Sequence, residues 1–165
     1  MSKIFGIGLP RSGGQSLWRA LSILTGSCIH SPGNRLDSIE ANPAAVEVFL
    51  PIGLLDAEWP DSKYIFNVRD TMEWLRSCES VYPVSAGWNH PLWKYPLSAF
   101  WWYHDNYVEC VMDEANRWNV KDRFLTHDFT REPSWEPLCE FLEVDVPNIP
   151  FPRVDRVKER HHLFR

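Results

Sequence analysis

The chain has 165 residues, a formal net charge of −5 at neutral pH, 44% hydrophobic residues and 24% charged residues. A chain of this length buries roughly 70% of the surface its unfolded form exposes, so it needs no disulfide or metal staple. Its acidic balance excludes a general nucleic-acid binder, which needs a basic surface to release counterions.

No apolar run approaches the roughly 20 residues of a membrane span. Cys28, Cys78, Cys110 and Cys139 stand too far apart for a CxxC pair or a zinc pattern. The chain enters a strand almost at once, so the expectation is that it carries no secretion signal. The expectation is one cytoplasmic domain over residues 1–165, with reduced thiols and no metal.

The first element is a strand carried by Ile4, Phe5 and Ile7. A turn rich in glycine and hydroxyls follows, then a helix with Leu17, Ala20, Leu21 and Leu24 on one face. Gly26–His30 reads as a short second strand, closed by turn residues 31–34. Residues 36–58 read as helix in two pieces, with Pro43 at a helix start and Pro51 breaking the run.

Lys63–Val68 is an apolar run between turns and reads as a buried strand. Asp70 is placed to cap the next helix, with Glu73 three residues on in a capping-box arrangement. Residues 82–96 lack a period, contain three prolines and read as a long loop of the kind that lines binding sites. From Leu97 a helical stripe runs through Phe100, Trp101, His104, Tyr107, Val108, Val111, Met112, Ala115 and Trp118. A strand at Arg123–His127 and a short helix at Trp135–Leu142 complete the pattern.

Strands alternating with helices imply an α/β fold. The expected core is a parallel sheet of about four or five strands with helices on both faces. Strand, glycine-rich loop and helix in that order make a phosphate cradle, so the fold is expected to be three-layered and P-loop-like. In such sheets ligands bind beyond the carboxyl ends of the strands.

Gly8 and Gly13 have the G-x4-G spacing of a nucleotide loop, but Gly14-Gln15 stands where Lys-Ser/Thr completes the ATPase form. The lysine for a γ-phosphate and the hydroxyl for magnesium are both missing. The cation comes earlier, as Arg11, and the hydroxyl later, as Ser16. The loop is built to grip an anion and poorly built for Mg·ATP.

Pro10–Leu17 resembles the 5′-phosphosulfate loop of the sulfotransferases that use 3′-phosphoadenosine 5′-phosphosulfate (PAPS), in the branch with R-[ST]-G-T-x-S-L. Arg11, Ser12, Gly13, Ser16 and Leu17 match, while Gly14 replaces the usual threonine. Phe66–Ser77 resembles the same family's 3′-phosphate signature: an arginine leaving a strand, then a serine eight residues later, here Arg69 and Ser77. Ser77 lies one heptad beyond Asp70, so guanidinium and hydroxyl can converge on one phosphate. The alternative is an Arg69 paired with a surface carboxylate and a solvated Ser77. Trp135–Pro152 also resembles that branch's W-x-P-L-C-x-F-L-G-x-x-x-P-x-x-P-F-P segment, with Glu143 in place of glycine.

The resemblance implies sulfuryl transfer from PAPS to a hydroxyl or amine acceptor by in-line displacement, leaving 3′,5′-ADP, with no metal. It gives Arg11 the catalytic cation's role. Ser12, Gly13, Gly14, Gln15 and Ser16 are implied around the 5′-phosphate, and Arg69 and Ser77 around the 3′-phosphate. A base is needed at the acceptor proton. His30, at the end of the presumed second strand, is the first choice; His104, His90 and His127 are further candidates. Trp88, Trp93, Trp101 and Trp102 are either walls of an acceptor pocket or core residues. Arg153 and Arg156 are candidate contacts in a tail whose default reading is a solvated basic end. The expected partners are the nucleotide donor and an unidentified acceptor, with no nucleic acid and no membrane span. Two other readings stay open: a nucleoside-phosphate kinase or NTPase, and a nucleotide-binding module of the same fold without catalysis.

Overall fold

The computed structural model describes residues 2–33, 35–81 and 97–154. Its strands β1 (Ile4–Ile7), β2 (Ile29–His30), β3 (Ala44–Val46), β4 (Lys63–Asn67) and β5 (Phe124–His127) form one parallel sheet in the order β2-β3-β1-β4-β5. Helices α1 (Gly14–Thr25), α2 (Leu36–Glu40), α3 (Ile52–Glu58), α4 (Thr71–Val81), α5 (Leu97–Arg117) and α6 (Glu136–Leu142) connect the strands. No helix among the described residues is long and apolar enough to cross a membrane.

Alternation along the strands supplies two buried faces. Phe5, Ile7, Ala45, Tyr64 and Phe66 pack with Ile52 and Leu55 of α3 and with Val111 and Ala115 of α5. Ala44, Val46 and Ile65 point the other way, onto Leu17, Ala20 and Leu21 of α1 and Leu138 and Cys139 of α6. This is the α/β, three-layer arrangement that the alternating pattern predicts. Each fully buried Leu, Ile or Phe side chain contributes roughly 1.5–3 kcal/mol, so both faces are needed to hold the sheet. A smaller cluster of Leu9, Trp74, Leu75 and Cys78 joins the loop after β1 to α4.

The sequence reading placed a helix start at Pro43. Instead Pro43 leads into β3, and its carbonyl accepts a hydrogen bond from the Ile4 N–H at 3.1 Å. Ala44, Ala45 and Val46 are fully buried between β1 and β2. Alanine favours helix in isolation. A central strand covered on both faces selects small residues at these positions, and that packing overrides the propensity. The α5 stripe is also wider than the core it covers: Met112 and Trp118 are 39% and 48% exposed. The Asp70 cap forms as the spacing predicts, its Oδ1 accepting the Glu73 N–H at 3.0 Å.

From β1 the chain first builds the β2–β3 side and then crosses to β4 and β5. The direction reverses at β1. A crevice therefore opens where the loops after β1, β3 and β4 diverge.

Candidate active site

The loop after β1 is shaped by two close approaches. A Cβ on Gly8 would stand 2.5 Å from Asn67 Oδ1 and 2.7 Å from the Asn67 carbonyl oxygen, so only glycine fits. Ser12 turns inward: its N–H and Oγ–H both donate to the Leu9 carbonyl, at 3.1 and 2.5 Å. Asn67 Nδ2 donates to the Ser12 carbonyl and Oγ, both at 3.1 Å. Arg11 and Gly13 take left-handed φ values of 76° and 101°, turning the chain sharply into α1. The first bond of α1 runs from the Leu17 N–H to the Gly13 carbonyl. The amides of Gly13, Gly14, Gln15 and Ser16 precede that bond and present the positive end of the helix.

Residues 67–77 fasten this loop from the other side. Arg69 Nη1 donates to the Arg11 carbonyl at 3.0 Å and Trp74 Nε1 to the Pro10 carbonyl at 2.9 Å. Arg11 Nε donates to Ser77 Oγ at 3.1 Å. The loop after β1 and the segment 67–77 therefore interlock into one surface, with the cation of the first reaching the serine of the second. Arg69 Nε is buried with no hydrogen-bond partner among the described residues, 3.9 Å from Glu73 Oε2. Burial pushes the Cys78 thiol, next to Ser77, up to about 11, while the Arg11 and Arg69 charges pull the other way.

A cleft of about 960 Å³ opens over this surface, a volume suited to a nucleotide-sized ligand. Arg11, Gly13, Gly14, Gln15, Ser16, Arg69, Ser77 and His30 all line it; Ser12 does not. Arg76 and Arg153 bring the arginines around the cleft to four, against Glu47 and Glu73. The acidic chain thus concentrates positive charge where an anion would lie.

Arg153 arrives through the segment after α6. Phe151 stacks on Phe129 at 5.4 Å and meets Trp135 edge-on at 5.0 Å. The Val154 N–H then donates to Ser16 Oγ at 3.1 Å. His90, Trp88, Trp93 and Arg156 lie outside the described residues, as do the side chains of Trp101 and Trp102.

The described histidines separate cleanly. His104 is buried between α4 and α5, with Nδ1 3.1 Å from Thr71 Oγ1 and its ring 5.1 Å from that of Trp74. His127 Nε2 donates to the Glu132 carbonyl at 2.9 Å. His30 lines the cleft at the end of β2.

Beside His30 stands a residue that sequence reasoning missed. Glu47, just beyond β3, lines the same cleft, with Oε1 3.4 Å from His30 Nε2 and Oε2 accepting from Ser31 Oγ at 2.5 Å. Ser31 and Glu47 both hold left-handed φ, 49° and 57°, a strain of about 1–3 kcal/mol each that the paired ends of β2 and β3 sustain. The Ser31 N–H locks these ends together by donating to the Val46 carbonyl at 2.8 Å. The only sequence hint was Gly14. A Cβ there would stand 2.6 Å from Glu47 Oε1 and 2.9 Å from Glu47 Cγ.

The family model described as "Sulfotransferase domain" matches residues 111–160, which take in the end of α5, β5, α6 and the segment that brings Arg153 to the cleft. A curated relative, "Ava biosynthesis cluster protein M" from Aspergillus versicolor, is 28% identical over 145 aligned residues, covering 72% of this chain and 54% of the relative. The chain spans about half the length of that relative. Over residues 111–160 the chain is thus similar to a sulfotransferase domain, and its parallel α/β sheet is consistent with that likeness.

Proposed function

We propose that the chain transfers a sulfuryl group from PAPS to a hydroxyl or amine acceptor. The observation that carries this reading is the convergence of Arg11, Arg69 and Ser77 with the amides of residues 13–16 on one cationic cleft. The residues suit a donor with two phosphate groups. The N-terminal amides of α1 and Ser16 hold the 5′ group, and Arg69 and Ser77 hold the 3′-phosphate that distinguishes this donor from ATP. The buried Arg69 Nε is a further donor without a hydrogen-bonded partner among the described residues, as an anion site requires.

The donor supplies an activated sulfuryl group. The chain's own part is to orient it, stabilise charge developing on the leaving phosphate oxygen with Arg11, and receive a proton from the acceptor. His30, with Glu47 against it, is the proton-handling side of the cleft.

Thermal stabilisation by 3′,5′-ADP against ADP, with and without magnesium, tests this reading, because a ligand bound to the native state raises its melting temperature. A larger shift with 3′,5′-ADP that is indifferent to magnesium supports it. A preference for ADP with magnesium supports a kinase or NTPase instead. A 3′,5′-ADP shift without sulfuryl transfer from labelled PAPS to any of a broad acceptor panel favours a non-catalytic binding module.

A further inference from the structure

We infer that Glu47, seated by Gly14 and held by His30 and Ser31, is the group that takes the acceptor's proton, and that His30 is its positioning partner. The inference rests on the donor reading above and adds to it the atom that accepts the proton. His30 Nε2 is shut off from solvent and makes no hydrogen bond among the described residues, yet it stands 3.4 Å from Glu47 Oε1. That nitrogen therefore has the Glu47 carboxylate as its neighbour, and Glu47 and His30 line the same cleft as the loop after β1.

The carboxylate's position is built, and four features fix it. Ser31 Oγ–H donates to Oε2, the His30 ring backs Oε1, and residue 47 holds a left-handed φ in the lining of the cleft. The fourth feature is an absence. Any side chain at position 14 would collide with Oε1 and Cγ, so the glycine that departs from the threonine of the resembling loop is the opening into which Glu47 fits. Gly14 is also the first residue of α1, so the carboxylate lies beside the amides that hold the donor. A base so placed shares one cleft with Arg11.

The step balances without an added reagent. The acceptor O–H or N–H proton passes to a Glu47 oxygen while the acceptor atom forms its bond to sulfur. The bond from sulfur to the 5′-phosphate oxygen breaks, and its electron pair leaves on that oxygen, opposite Arg11. The proton on Glu47 then returns to solvent. Protonated Glu47 cannot act, so the rate falls on the acid side. The titratable neighbour facing it is His30 from β2; the charged groups around the same cleft are Arg11, Arg69, Glu73, Arg76 and Arg153.

The test needs no identified acceptor, since water serves. Thermal shift with 3′,5′-ADP is measured for the wild type, Glu47→Gln, Glu47→Asp and His30→Gln. Release of [35S]sulfate from PAPS is then followed from pH 3 to 9, a range that includes the ordinary carboxylate value of about 4.3, with a denatured sample at each pH giving the uncatalysed rate. Glu47→Gln is expected to keep the 3′,5′-ADP shift, to lower release about 10²–10⁴-fold and to lose the acid-side fall. Glu47→Asp is expected to recover part of the rate. His30→Gln is expected to lower release less and to move the acid-side fall along the pH axis, which a purely structural role would not do. Wild-type release by Glu47→Gln overturns the inference, and so does an acid-side fall that persists in it. Loss of the 3′,5′-ADP shift in Glu47→Gln also overturns it, by making the carboxylate a part of the cradle. A wild type that binds 3′,5′-ADP but releases no sulfate above a denatured sample overturns it too. A wild type without any 3′,5′-ADP shift overturns the donor reading first, and the inference with it.

Discussion

Gly14→Ala measures the seating of Glu47 directly, without any ligand. The new methyl would lie 2.6 Å from Glu47 Oε1 and 2.9 Å from Cγ, well inside contact distance. Overpacking of this kind costs about 1–3 kcal/mol when the neighbour cannot yield. Against it, alanine in place of glycine in a helix gains about 0.5–1 kcal/mol. Gly14 does not hold a positive φ, so no backbone strain enters. The net effect expected in the wild type is a loss of up to about 2 kcal/mol. In a Glu47→Ala background the clash is gone and only the helix gain remains, so the same substitution is expected to stabilise by about 0.5–1 kcal/mol. The double-mutant cycle should therefore show a coupling of about 1–3 kcal/mol between positions 14 and 47. Urea unfolding followed by tryptophan fluorescence reads all four proteins. A Gly14→Ala effect of equal size and sign in both backgrounds would refute the steric argument.

Two further outcomes follow from the same geometry. Arg69→Ala should weaken 3′,5′-ADP binding about 10–100-fold, the worth of charge-assisted hydrogen bonds of roughly 1.5–3 kcal/mol, and weaken AMP binding much less; isothermal titration with both ligands decides it, and equal losses would mean that Arg69 acts only through its bond to the Arg11 carbonyl. For the thiols, burial raises Cys28 to about 12 and Cys78 to about 11, so both stay protonated at pH 8, whereas Cys110 is exposed. Iodoacetamide at pH 8 should therefore label Cys110 first, read by peptide mass spectrometry, and rapid labelling of Cys28 in the native protein would contradict the packing.

Much of this fold can be read from local pattern. The run Lys63–Asn67 between two turns is apolar enough to name a buried strand, and β1, its glycine-rich turn and α1 follow one another as the local pattern predicts. β3 resists the same reading because Ala44 and Ala45 carry no strand signal; their smallness answers a packing demand that exists only once β1 and β2 flank them. Glu143 shows the reverse case. It departs from the glycine of the resembling branch, and the structure places it at φ 62° at the end of α6, where glycine is favoured, with its carboxylate 2.8 Å from Lys63 Nζ. Arg11, Ser16, Arg69, Ser77 and His30 are legible one by one as cleft residues, but their mutual contacts are not. Arg11 and Ser77 are 66 residues apart, and their bond depends on a left-handed arginine. Glu47 carries no motif at all, since its place is set by the turn after β3 and by space left empty at Gly14.

The bond between the tail and Ser16 gives the cleft a direction. Val154 supplies an N–H to the Ser16 oxygen, and among the described residues no acceptor takes that hydroxyl's own proton. On the reading proposed above, a hydroxyl engaged in this way would keep its hydrogen for the ligand and join the amides of residues 13–16 as donors. Such a row of donors would favour fully deprotonated oxyanions over groups that bring protons of their own. The C-terminal segment, by fixing one rotor, would thus bias the cleft by ionisation state as well as by shape.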